Sequence, residues 1–116
     1  MGVATIIDLR IEKRGQEQEA ALAKQLGLTR LRLRMGREAP TSAQVHTFLA
    51  TLADSARRPV FVHCQHGADR TGAMIGIYRV TRQDWNFDRT WSEMRRFGFK
   101  PYLSELKGAV VARTAR

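Results

Sequence analysis

At 116 residues and 43% apolar content, the chain can bury one hydrophobic core but hardly two, so residues 1–116 read as a single domain. Twenty Lys and Arg against eleven Asp and Glu leave a net charge of +9, which points to an anionic partner: nucleic acid, an anionic membrane surface or a polyphosphorylated ligand. One cysteine excludes an internal disulfide and fits a reducing cytoplasm; there is no apolar run of membrane-spanning length, no signal-peptide core, no repeat and no low-complexity linker.

Residues 3–9 are predicted as a short buried strand. A helix follows over 15–26, with Ala20, Ala21, Leu22 and Leu26 among its apolar positions and Gly27 ending it. Residues 28–34 alternate as a second strand, with Leu31 and Leu33 on one face and Arg30, Arg32 and Arg34 on the other. After a loop over 35–40, Thr41 and Gln44 form a capping box that opens a helix to about residue 56. A third strand over 58–63, a helix over 71–82, a turn over 84–86 and an amphipathic helix over 87–97 follow, and Pro101 is expected to start a last helix. Strands alternating with helices imply βαβ units, hence an α/β fold with a small, mainly parallel sheet flanked by helices. Ligands of such folds bind beyond the carboxyl ends of the strands.

The chain's one cysteine lies at such an end, in Val60-Phe61-Val62-His63-Cys64-Gln65-His66-Gly67-Ala68-Asp69-Arg70-Thr71-Gly72. Between a strand and a helix N-terminus, the loop's N–H groups and the unpaired first N–H groups of the helix form an anion-binding nest. Such a field favours a thiolate at Cys64, and Arg70 offers a fork for two phosphate oxygens. A lone buried cysteine is often only a small hydrophobe, but Gly67, Arg70 and Thr71 have no packing reason to stand at these spacings. A metal site from His63, Cys64 and His66 is set aside, since three ligands within four residues of a tight loop do not surround one ion. Neither metal nor cofactor is expected.

The pattern His63-Cys64-x5-Arg70-Thr71-Gly72 resembles the phosphate-loop signature of cysteine-dependent phosphatases, the protein tyrosine and dual-specificity phosphatase superfamily. Ile6-Ile7-Asp8-Leu9-Arg10 is similar to a strand near the start of small dual-specificity-type domains, and Tyr78-Arg79 and residues 85–99 are similar to bacterial members; the likeness spans residues 3–105. Relatives carry a further strand pair before that first strand. The short N-terminus here therefore implies a reduced sheet, either as a shortened form or with the gap covered by a partner subunit, as in a homodimer.

The resemblance implies a metal-independent phosphomonoester hydrolase. Cys64 would attack phosphorus, a cysteinyl-phosphate would form, and water would hydrolyse it. Arg70 and the N–H groups of Gln65, His66, Gly67, Ala68, Asp69 and Arg70 would hold the phosphate oxygens. Thr71 would donate to the sulfur, cap the helix, or both, and His63 would order the loop. For the proton donor, relatives use an Asp in the loop after the preceding strand; in residues 35–40 the only carboxylate is Glu38. Asp69 resembles the Cys-x4-Asp-Arg pattern of lipid-phosphatase relatives and is placed narrowly ahead of Glu38. Its structural alternative is a carboxylate that pins the loop by pairing with Arg or Lys.

Arg30, Arg32, Arg34 and Arg37 would run toward the mouth of the site and hold additional phosphates on an inositol ring or phosphoinositide headgroup. The alternative, charges guarding an exposed edge strand, fits the edge position that the resemblance gives this strand. No aromatic wall for a deep phosphotyrosine cleft is evident. Inositol phosphates or phosphoinositides are therefore expected ahead of phosphoproteins, with peripheral contact to an anionic membrane. Nucleic acid is set aside for want of clustered exposed aromatics. A thiol-relay arsenate reductase is excluded for want of further cysteines, and a catalytically weak phosphate-binding module stays as the rival.

Overall fold

A computed structural model describes residues 2–65 and 68–115. Among these, three parallel strands, β1 (Thr5–Arg10), β2 (Thr29–Met35) and β3 (Val60–His63), form a sheet of order β2-β1-β3. Five helices complete the chain: α1 (Gln16–Gln25), α2 (Ser42–Ala53), α3 (Arg70–Arg82), α4 (Phe87–Arg96) and α5 (Ser104–Arg113). The small parallel sheet flanked by helices matches the expected architecture, with β2 at an edge.

The period-two pattern of β1 divides the sheet's two faces. Ile7 lies in register with Leu31 and Val62, and with Leu9 and Leu33 these side chains look onto α2, α3 and α5. Ile7, Leu9, Phe48, Met74, Ile77, Phe99, Leu106 and Val110 are completely buried there. Gly76 lets α3 approach its neighbours closely: a Cβ at this position would meet Met94 Sδ at 3.1 Å and Val110 Cγ2 at 3.2 Å. No helix among the described residues is long and apolar enough to cross a membrane.

The opposite face carries charge. Asp8 lies in register with Arg32 and His63, and Ile6 with Arg30 and Phe61. Helix α1 covers part of this face, but not through the apolar residues expected to dock it. Ala20, Ala21, Leu22 and Leu26 are exposed, and only Ala23 is buried. Gln16 and Glu19 hold the helix instead, both accepting hydrogen bonds from Arg30. Gly27, with φ +70, turns the chain out of α1 in a conformation that side chains disfavour.

The capping box forms as the sequence implies: Thr41 Oγ1 accepts from the Gln44 N–H at 3.1 Å and Gln44 Oε1 accepts from the Thr41 N–H at 2.9 Å. The strand ends shift by one or two residues, β1 to Thr5–Arg10 and β3 to Val60–His63, and three helix ends differ in ways that bear on the site or the caps. Helix α2 stops at Ala53, where Asp54 takes the Ala56 N–H and opens a separate 3₁₀ turn (Ser55–Arg57). Helix α3 begins at Arg70, so Thr71 lies inside its first turn and is not its cap. Helix α5 begins at Ser104, with Pro101 and Tyr102 in the preceding turn.

Candidate active site

The carboxyl ends of the three parallel strands open into a cleft of about 400 Å³, lined by Glu12, Arg37, Gln65, Asp69, Arg70 and Lys100 over a floor of Leu103 and Leu106. Cys64 follows β3 directly and is buried; its neighbour Gln65 lines the cleft and Cys64 itself does not. Gln65 begins the loop, and Arg70 is the first residue of α3, whose first turn contains no acidic side chain to oppose a bound anion. His66 and Gly67, expected to supply phosphate-binding N–H groups, lie outside the described residues.

Arg70 is fixed by two other loops. Its Nη1 donates to Glu12 Oε1 at 3.0 Å and to the Met35 carbonyl at 2.9 Å, and its Nη2 donates to Glu12 Oε2 at 3.3 Å. The guanidinium thereby ties α3 to the loop after β1 and to the end of β2. The hydrogen bond from Arg70 holds the Glu12 carboxyl below its ordinary value. Asp69 faces Lys100: Oδ1 accepts the Lys100 backbone N–H at 3.0 Å, and Oδ2 accepts from Nζ at 2.7 Å. This contact raises Lys100 above its ordinary value and keeps it charged. Gly98, at φ +96, makes the turn that brings Lys100 to the loop, close enough that a side chain on it would meet Ala68 Cβ at 3.6 Å.

The other expected residues lie apart from the cleft's lining. Thr71 Oγ1 is buried without a hydrogen-bond partner among the described residues, and Thr71 lines a second cavity, of about 290 Å³, with Met94 and Phe97. Glu38 is exposed, its carboxylate curled over Gly36 so that a Cβ there would stand 3.1 Å from Oε2. His63 stacks on Phe61 and puts Nε2 2.7 Å from Glu19 Oε2, an ion-pair distance without hydrogen-bond alignment, on the α1 side of the sheet. Of the four arginines expected at the mouth, only Arg37 lines the cleft. Arg30 is bonded to Asp8 and Glu19, Arg32 reaches the Arg10 and Ile11 carbonyls at 3.5 Å, and Arg34 is exposed outside the lining.

Asp8, Glu19 and His63 bring three metal-ligand atoms within 4.8 Å of one another, but guanidiniums already take the carboxylates. Arg10 donates from Nε to Asp8 Oδ1 at 2.9 Å and from Nη2 to Oδ2 at 3.1 Å, and Arg30 Nη2 donates to Oδ2 at 2.7 Å. Burial pushes the Asp8 carboxyl up, yet the side-chain and backbone hydrogen bonds from Arg10 outweigh it and leave the group at about 2. The folded value lies below the unfolded one, so the contribution is present above pH 3.8 and drains away as the pH falls from 3.8 toward 2. It amounts to about 2 kcal/mol. Asp8→Asn takes the shared carboxylate from two partly buried guanidiniums and leaves both to Glu19, and a loss of about 2–3 kcal/mol is expected in urea unfolding at pH 7. The variant's acid-unfolding curve should also lose the limb below pH 4.

A family described as a dual-specificity-type protein tyrosine phosphatase fused to NAD+ kinase matches residues 1–105. The chain belongs to this phosphatase family. Relatives of this phosphatase-family chain include a probable chloroplastic NAD kinase 2 from Oryza sativa, 33% identical over 91 residues, covering 72% of this chain and 9% of that protein. The dual specificity protein phosphatase TpbA of Pseudomonas aeruginosa is 40% identical over 58 residues, 49% of this chain and 27% of TpbA. The core catalytic domain of the PP-IP phosphatase SIW14 from Saccharomyces cerevisiae shares the fold with a TM-score of 0.81 at 24% identity, over 94% of this chain and 66% of that one. The chain thus spans only a minor part of its curated relatives' length.

Glu12 and Lys100 are site residues that the motif did not mark. Glu12 was traceable, because it follows β1 at the carboxyl edge of the parallel sheet, where the cleft had to open. Lys100 lies thirty-one residues beyond Asp69 in the turn between α4 and α5, and no local signal couples the two.

Proposed function

We propose that the chain is a metal-independent phosphomonoester hydrolase that works through a cysteinyl-phosphate, on inositol phosphates or phosphoinositides. The observation that carries this is the anchored Arg70 at the start of α3, one strand-to-helix loop away from the buried Cys64. Cys64 is the nucleophile, Arg70 and the loop N–H groups stabilise the equatorial oxygens, and Thr71 Oγ1, which bonds no described residue and so does not touch the sulfur at rest, would have to turn to it when it becomes the leaving group. The preference for polyphosphates is carried by Arg37 and Lys100, which add two cations to the same cleft. This replaces the role expected of Arg30, Arg32 and Arg34.

Asp69 is the proton donor in this scheme, ahead of Glu38, because it lines the cleft and Glu38 does not. Both Asp69 oxygens accept from Lys100 and carry no proton to give, so donation requires the pair to open, as it would when a substrate phosphate draws Nζ away, and the freed carboxylate to take up a proton from solvent before passing it to the leaving oxygen. Lys100 then links the arrival of the phosphate to release of the acid.

The test is phosphate release, without added metal, from an aryl phosphate, an alkyl phosphate, a phosphotyrosine peptide, a phosphoinositide and inositol hexakisphosphate. Inositol substrates should rank first; a peptide in first place would favour a phosphoprotein phosphatase. Silence on all five with phosphate still bound would leave a binding module. Asp69→Asn should cost about 10²-fold on the alkyl ester and far less on an aryl ester with a good leaving group, while Glu38→Gln changes neither. Equal losses on both esters would reduce Asp69 to a pin for the loop.

A further inference from the structure

Parallel strands send the turns that follow them to one edge of the sheet, so the loops after β1 and β2 frame the cleft together with the turn that carries Lys100. That rim is cationic with apolar tips. Lys13, Arg14, Arg34 and Arg37 are exposed and enter no ion pair among the described residues. Against them these loops leave one carboxylate free, Glu38, because Glu12 is taken by Arg70 and Asp69 by Lys100. Ile11 lines the cleft and is still 47% exposed; Tyr102, 67% exposed, lies between Lys100 and Leu103, both of which line it. We propose that this rim is a docking surface for an anionic lipid bilayer, and that it presents a membrane-borne phosphomonoester to Arg70. The docking stands by itself; the presentation rests on the phosphatase reading above.

Isolated apolar tips occur on any protein surface, and unpaired cations alone suit any polyanion. Their meeting around one cleft singles out the bilayer. A headgroup layer is anionic, and the acyl boundary beneath it takes apolar side chains. Tyrosine, with an apolar ring and a polar tip, settles at that boundary, while long Lys and Arg stems reach the headgroups from beside it. A nucleic-acid backbone would satisfy the cations but offer Ile11 no apolar layer to enter. Lys100 gathers the two kinds of side chain: Asp69 holds it charged, and the Tyr102 phenol and the Arg37 guanidinium act on the same ammonium. Docked in this way, the cleft opens toward the headgroups, where an inositol phosphate carried by a lipid would stand.

Phosphatidylserine vesicles are the probe, because that lipid is a phosphodiester and no substrate for a phosphomonoesterase. The whole chain should sediment with vesicles of phosphatidylcholine and phosphatidylserine but not with phosphatidylcholine alone, and high salt should release it. Each cation near such a surface contributes about five-fold in affinity, so Lys13→Gln, Arg14→Gln and Arg34→Gln together should weaken partition by about 100-fold. Tyr102→Ser should weaken it by about 5-fold at unchanged charge. All four side chains are exposed, and neither variant should move the melting temperature by more than about 2 °C. Turnover of a soluble aryl phosphate should stay at the wild-type level in both, while turnover of a phosphatidylinositol monophosphate in the same vesicles falls with binding. Binding that ignores phosphatidylserine, or a triple variant that binds like wild type, would overturn the proposal. An acidic peptide retaining the chain as well as the vesicles do, with Tyr102→Ser without effect, would assign the rim to an acidic protein and overturn it too. None of these outcomes touches turnover of the aryl phosphate. Absence of that turnover, with vesicle binding intact, would sink the phosphatase reading and the presentation with it, and leave the docking standing.

Discussion

Cys64→Ser is expected to lower phosphate release by about 10⁴-fold or more while phosphate-ester binding persists, read by single-turnover assay and by calorimetric titration with an aryl phosphate. A serine hydroxyl nearly matches the thiol in shape but stays protonated at neutral pH, so the nucleophile is lost and little else changes. Cys64 is 7% exposed, and the substitution exchanges one small buried group for another. The stability change should stay near 1 kcal/mol. The groups proposed to grip phosphate, Arg70 and the N–H groups of the loop, are untouched. Residual turnover within tenfold of wild type would remove Cys64 from the nucleophile's role. Loss of binding together with turnover would mean that the thiolate's charge organises the loop.

The sheet and its helices were legible where a local rule dominates. Alternation in β2 separated Leu31 and Leu33 from the arginines, and Thr41 with Gln44 fixed the start of α2 to the residue. The errors come from position along an element and not from its type. Alternation shows that Arg30, Arg32 and Arg34 share a face; it does not show which of them lies near the strand's carboxyl end. Arg30 is the second residue of β2, far from the cleft, and is consumed by Asp8 and Glu19. Helix α1 was recognisable between Gly15 and Gly27, but its apolar residues misled. A helix over the charged face of a sheet is held by ion pairs, so Leu22 and Leu26 are free to face outward. Pro101 gave a helix-start signal that a tight turn satisfies equally well, since fixed φ suits both. The signature run located the candidate loop outright, because a strand-loop-helix unit is local. Its supports, Glu12 and Lys100, arrive from 58 and 31 residues away and depend on tertiary closure.

Arg70→Lys is expected to cost about 10²–10³-fold in kcat/KM, the effect of losing a preorganised donor pair at a developing anion. Charge is conserved, so the loss isolates geometry. Arg70 makes three hydrogen bonds to Glu12 and Met35 and still offers a second edge to phosphate. A lysine ammonium has three donors at one point and cannot satisfy two loops and a bidentate ligand together. The ammonium should settle on the Glu12 carboxylate, and inorganic phosphate should then bind more weakly than to wild type. Combining Arg70→Lys with Glu12→Gln adds a sharper test. If Glu12 acts only through the plane and charge of Arg70, then Glu12→Gln should cost far less kcat in the Arg70→Lys background than in wild type, a coupling of at least about 1 kcal/mol. Additive losses would mean that Glu12 meets the substrate directly, and that the two residues share the cleft without sharing a task.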